Sequence, residues 1–180
     1  MKYFVYMLMC MALVSCTVYG FSNDYGKLSE SEKLRISSLK DFKQTDTLHV
    51  YKINGLQLKE ELKKHPKSLV YIFSNGCTSS YCLPMSNYET FARENGYKLY
   101  LVMSGYGKLQ QTIGQRSEVF TTTLFAIDNE FYNSNYEVRY SRMFENDLRG
   151  IARKEKPKWE GNLFFFTNGE LTKVSQELKN

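Results

Sequence analysis

The sequence predicts an α/β fold: a central, mostly parallel sheet with helices on both faces, ending in an antiparallel β-hairpin. Three observations carry this. Between about residues 46 and 176, strand-like and helix-like patterns alternate, as they do where parallel strands are joined by crossover helices. Leu69-Val70-Tyr71-Ile72-Phe73 is a continuous apolar run, which marks a strand covered on both faces. Two short apolar runs, 163–166 and 171–174, flank Asn168-Gly169, a pair suited to the two φ > 0 positions of a tight hairpin turn.

In chain order, residues 17 to about 28 (TVYGFSNDYGKL) are polar, hold two glycines and show no periodicity, and so read as a tether. Ser29-Glu30-Ser31-Glu32 has the capping-box form and predicts a short helix through about Phe42, with Leu34, Ile36, Leu39 and Phe42 partly sharing a face. A strand follows at 49–53. A helix at 55–64 places Leu58 and Leu62 one turn apart and is stopped by His65-Pro66. After the buried run comes a cysteine-bearing segment. The helix beyond it has Ser86 and Glu89 as a capping pair and Asn95-Gly96 as its stop. A strand at 99–103, a short helix at 108–115, a strand at 121–127 and a polar-rich helix at 136–148 complete the alternation. Repeats and low-complexity tracts are absent.

The first sixteen residues have a separate character. Lys2 is followed by a nearly unbroken apolar run, 3–14, the length of a signal-peptide core and short of the roughly 20 residues of a membrane-spanning helix. The run ends in Leu13-Val14-Ser15-Cys16, which resembles the bacterial lipobox. That resemblance implies a lipoprotein signal peptide at 1–15, removed before Cys16, and acyl chains on Cys16 that anchor the protein to a membrane of the bacterial cell envelope. The outer membrane is the expected one, with the protein on its periplasmic or surface face. Other readings are an ordinary secretory signal in which Cys16 is accidental, or a buried N-terminal helix. Cys10 is lost with the signal. The expected organisation is then a signal at 1–15, a lipidated tether with a short helix at 16–45, and one domain at 46–180.

About 165 residues remain after the signal, enough for one domain with one core. The 24 Lys+Arg against 19 Asp+Glu are dispersed, without the basic block that tracks phosphates, so no nucleic acid is expected as partner. The aromatic runs read as core.

With Cys16 acylated, Cys77 and Cys82 are the cysteines left, so an intramolecular disulfide must join them. Outside the cytoplasm such neighbouring thiols are oxidised or take part in exchange. A metal is not expected, because two cysteines are too few ligands and neither His49 nor His65 stands at ligand spacing to them. Trp159 either packs over the cysteines or caps the core, the second being favoured.

Over residues 46–176 the chain resembles the thioredoxin-like superfamily, in the buried strand running into a cysteine pair at the head of a helix and in the closing hairpin LFFFTNGELTKV. The resemblance implies a thioredoxin-like fold and thiol–disulfide exchange with a protein thiol or redox partner. Cys77 would attack and Cys82 would resolve, without a bound cofactor. The chain departs from the family at four places. The pair is C-x4-C rather than C-x-x-C, and Gly76 replaces the common tryptophan. Tyr71 stands where some members carry a buried acid, and Gly161 falls where the cis-proline is expected. Gly76-Cys77-Thr78 and the spacing to Cys82 also resemble peroxiredoxin Q, with Ser74 at the Thr/Ser position and Val70 in place of the family proline. That second resemblance implies a thiol peroxidase, for which Arg139, Arg142 and Arg149 are candidate arginines.

Geometry leaves two arrangements of the pair open. Five residues of α-helix rise about 7.5 Å, beyond the roughly 7 Å Cα separation a disulfide tolerates. A helix starting at Thr78 would place Cys77 at its N-terminus and would have to unwind on oxidation. A helix starting at Pro84 would leave both cysteines in a loop, free to pair. In either case the bond can be redox-active or a plain stabilising bridge on a thioredoxin-like binding scaffold, worth about 2 kcal/mol by loop closure.

Overall fold

Seven strands form one sheet in the order β1-β2-β5-β4-β3-β6-β7 in the computed structural model, which describes residues 19–79, 81–116 and 120–178. The expected signal segment, its cut and Cys16 lie outside the described residues. The strands are β1 (Ile36–Ser38), β2 (Val50–Ile53), β3 (Lys67–Phe73), β4 (Lys98–Met103), β5 (Leu124–Ile127), β6 (Leu163–Thr167) and β7 (Glu170–Ser175). β1 to β5 pair in parallel, whereas β6 runs antiparallel to β3 and β7 antiparallel to β6. The expected α/β class, the mostly parallel sheet and the terminal hairpin are all present, consistent with a thioredoxin-like α/β fold. Asn168 (φ 50°) and Gly169 (φ 82°) supply the two positive-φ positions of the hairpin turn.

Five helices accompany the sheet among the described residues: α1 (Glu30–Lys33), α2 (Gly55–Leu62), α3 (Met85–Glu94), α4 (Leu109–Gln115) and α5 (Glu137–Arg149). The period-2 alternation of β3 sends Leu69, Tyr71 and Phe73 to the face covered by α3 and α4, where Tyr88, Ala92, Leu109 and Ile113 are buried. Val70 and Ile72 point to the other face, beneath α2 and α5, with Leu58, Leu62, Tyr140, Phe144 and Leu148. This two-sided cover explains the unbroken apolar run of β3. The second layer closes through Gly55: a Cβ there would stand 2.6 Å from Asp147 Cβ and 2.8 Å from the Phe144 carbonyl oxygen. Beside that contact Tyr132 donates to Asp147 at 2.9 Å and accepts the Gly55 N–H at 2.7 Å.

Three local expectations change. The capping box forms at Ser29 and Glu32, but its helix ends at Lys33, not near Phe42. Residues 36–38 extend as β1 and pair with Val50, Tyr51 and Lys52. A β-branched residue followed by two serines favours extended backbone over helix, and the open edge of β2 supplies the partners. Ser86 and Glu89 do not cap α3: its N-cap is Pro84, without a side-chain bond. Glu89 instead accepts the Thr121 and Thr122 N–H groups at 2.7 and 2.5 Å. These bonds hold 121–122 out of the strand, so β5 starts at Leu124.

The polar 19–28 segment packs on the body. Asp24, 3% exposed and at φ 58°, accepts the Gly20 N–H at 2.8 Å and the Lys27 ammonium at 2.6 Å. Asn23 donates through Nδ2 to Asn129 at 2.8 Å and accepts the Tyr106 N–H at 2.8 Å. The Glu137 N–H donates to the Phe21 carbonyl at 3.2 Å, and Leu28 is buried in the core.

Candidate cysteine site

The cysteines follow β3 at its carboxyl end, where parallel strands of α/β sheets present their ligand crevices. Phe73 ends the strand and Met85 begins α3, so the intervening residues are irregular and both cysteines lie in a loop. Cys77 and Cys82 form a disulfide with Cα atoms 6.1 Å apart. The arrangement is the one in which the helix starts after Pro84, and no turn need unwind to make the bond. Cys77 is exposed and Cys82 half-buried. Cys77 does not stand at a helix N-terminus; Cys82, three residues ahead of Met85, is the nearer to one.

Two clefts meet at Cys77. One, of about 390 Å³, is lined by Tyr71, Phe73, Cys77, Cys82, Pro84 and Thr112 among others. The second, of about 310 Å³, lies between Cys77, Thr78, Lys108, Ser104, Glu137 and Tyr19–Gly20. Gly76, at φ 67°, makes their junction: a Cβ there would meet Lys108 Cδ at 2.6 Å and Gln111 Oε1 at 2.8 Å. A side chain here, where thioredoxin-like proteins commonly carry tryptophan, would displace the ends of the Lys108 and Gln111 side chains and hold a backbone conformation that L residues rarely adopt.

Loop ends following β3 and β4 are tied together by polar side chains. Asn75 donates to the Gly105 carbonyl at 2.9 Å and accepts from the Thr112 hydroxyl. Ser104 donates to Glu137 Oε1 at 2.6 Å, and the Ser74 hydroxyl lies 3.0 Å from that of Ser104. Burial raises the Glu137 carboxyl above the ordinary range against the stabilising Ser104 bond, with the Asp24 charge adding to the rise. A carboxyl raised by burial therefore lines the same cleft as Cys77. Pattern reading missed Glu137, Ser104 and Asn75, although Asn75 and Ser104 each fall within two residues of the end of an apolar strand run. Tyr71, at the position of the family's buried acid, is 2% exposed and stacks on Tyr88 with ring centroids 4.0 Å apart. Burial, with the Tyr71 hydroxyl donating to Tyr88, drives its phenol far above neutral range, so it holds its proton and acts as floor rather than base.

None of the other singled-out residues lines either cleft. At Gly161 (φ 143°) a Cβ would stand 2.1 Å from the Ser175 carbonyl carbon, so the start of the hairpin admits glycine alone. Of the arginines on α5, Arg149 is bonded to Glu160 at 2.9 Å at the far end of the helix, while Arg139 lies on the turn nearest the cysteine end. Trp159 is 61% exposed and neither covers the cysteines nor caps the core. His49 precedes β2 and pairs with Asp46 at 2.8 Å, and His65 lies 3.4 Å from Glu61. Among the described residues, no group of three or more His, Cys, Asp or Glu could hold a metal ion.

A larger cleft, of about 810 Å³, is at the opposite end of the strands and holds no cysteine. Lys43, Lys64, Arg93 and Lys98 line it with Glu61 and Glu89. Glu61 pairs with Lys64 at 2.7 Å, while Lys43, Arg93 and Lys98 make no ion pair among the described residues.

No family model, curated protein or solved structure matches the chain. Fold and site therefore define it as far as an α/β protein with a solvent-facing disulfide beyond the carboxyl end of β3.

Proposed function

We propose that the chain is a lipid-anchored thiol–disulfide exchange protein of the bacterial cell envelope, working through Cys77 and Cys82. The observation that carries this is the placement of the bond: in a loop, with Cys77 exposed between two clefts. A partner thiolate attacks Cys77 Sγ, forming a mixed disulfide and releasing Cys82 as thiolate. A second partner thiol then attacks the partner's sulfur in that mixed disulfide and releases Cys77. Two electrons pass to the pair, two partner thiols become a disulfide, and their two protons end on Cys77 and Cys82. In reverse, Cys77 attacks a partner disulfide and Cys82 resolves it.

A second reading is a binding scaffold with a structural bridge. The observation favouring it is Gly161, which leaves the hairpin start without the proline that the exchange family places beside its cysteines. Thiol trapping with mass spectrometry across a redox-buffer series separates the two. A reduction potential of about −120 to −270 mV supports exchange, and one below about −300 mV supports the structural bridge.

A further inference from the structure

We infer that the carboxyl end of the sheet, the end carrying the disulfide, is apposed to the lipid bilayer interface. This rests on the lipid-anchor reading above. The first observation is where the chain leads. Tyr19 and Gly20 form a wall of the cleft that Cys77 lines, and their segment is fixed there by the buried Asp24 and by Asn23 on Asn129. Two residues, Thr17 and Val18, separate Cys16 from Tyr19, so three chain steps reach about 10 Å at full extension. Acyl chains on Cys16 therefore enter the bilayer close beside the cysteine loop, and the domain has little slack to turn its other end inward.

The second observation is what this end exposes. Phe21 (69%), Tyr136 (57%), Val138 (77%), Phe131 (40%), Tyr81 (50%) and Leu83 (38%) are all exposed, and all belong to segments at the carboxyl ends of β3 and β5 or docked against them. Phe21 and Tyr136 meet edge to face at 5.4 Å, so part of this surface is a preformed aromatic pair. Tyrosine suits the headgroup level, where its ring contacts apolar chains and its hydroxyl stays wet. The opposite end presents the cleft lined by Lys43, Lys64, Arg93 and Lys98. Basic side chains are themselves drawn to anionic lipid, which makes the two ends rivals for the bilayer. The short tether and the aromatic cover decide for the disulfide end.

The test begins with protein isolated from membranes with its native N-terminus, whose N-terminal peptide is weighed for acyl chains on Cys16. Two reporters are then made in a Trp159→Phe background, Tyr136→Trp at the disulfide end and Leu48→Trp at the other, where Leu48 is 72% exposed. Each is placed in phosphatidylethanolamine–phosphatidylglycerol vesicles with lipids brominated near the headgroup. The expected result is loss of at least about half of the Tyr136→Trp emission, with Leu48→Trp unchanged. Acylated Cys16 with equal quenching of both reporters, or with quenching confined to Leu48→Trp, overturns the orientation and leaves the anchor standing. An unmodified Cys16 removes the anchor and the orientation together. Blue-shifted Tyr136→Trp emission without vesicles would mean that the uncut 3–14 segment covers the face, and would overturn the proposal as well.

Discussion

The two ends of the parallel strands are built differently. At the carboxyl end, β3 and β4 run out into Ser74, Asn75, Ser104 and Gly105, which are cross-linked by hydrogen bonds, and the disulfide sits on this platform. At the amino end the bonding is mostly acidic to backbone or acidic to lysine: Glu89 holds the Thr121–Thr122 backbone and Glu61 holds Lys64. The larger cleft has cations without an ion pair among the described residues and no cysteine; the smaller ones have the cysteine pair and a raised carboxyl. Volume alone would select the end without the disulfide.

The sharpest way to break this contrast is by activity. Cys77→Ser should abolish turnover of a disulfide substrate, whereas Lys43→Ala with Lys98→Ala should leave its rate unchanged. A cation-dependent rate would tie the two ends together. Next in size is the floor of the cysteine site. Tyr88→Ala removes the ring stacked on Tyr71 and should cost about 3–5 kcal/mol in denaturant unfolding.

α5 spans both ends and supplies a pH test. Burial raises the Glu145 carboxyl to about 7, against the Arg149 charge that lowers it. The folded protein thus holds this proton to higher pH than the unfolded chain does. Its contribution to stability is full below pH 4.5, the ordinary value, and is lost as pH rises through about 7. Glu145→Gln should remove about 1–3 kcal/mol of that decline when unfolding is compared at acid and neutral pH. The smallest effect is expected at the amino end. Glu89→Gln keeps the shape but weakens the charge-assisted bonds to Thr121 and Thr122, costing about 1 kcal/mol by the same unfolding measurement, with exchange intact.

Strands buried on both faces and the Asn-Gly hairpin were legible because periodicity and turn chemistry are local. β1 was not, since the capping box at Ser29 announces a helix and nothing nearby tells where it ends; pairing with β2 decides that. Asn54 and Gln57 form a capping box for α2 with bonds of 2.9 and 3.1 Å that the Gly55 start concealed. Cys77 and Cys82 stood out by counting, and Pro84 allowed the loop arrangement that the structure adopts. Glu137 stayed hidden because its neighbours Ser74 and Ser104 are 63 and 33 residues away in the chain, and only the sheet brings them together. The 19–28 segment read as a tether because Asp24 and Leu28 are its two buried residues, and two isolated positions leave no periodic trace.

The margins of the sheet bear on how crowded such molecules can become. β1 offers only three residues for pairing, and β7 is half-exposed, carries Glu170 and Lys173, and is bent by a bulge opposite Phe165–Phe166. Short, charged and kinked borders are poor templates for strand addition from a neighbouring copy. On the proposed lipid anchor, copies confined to a membrane would meet far more often than copies in free solution, and such borders would keep those encounters from growing into a shared sheet.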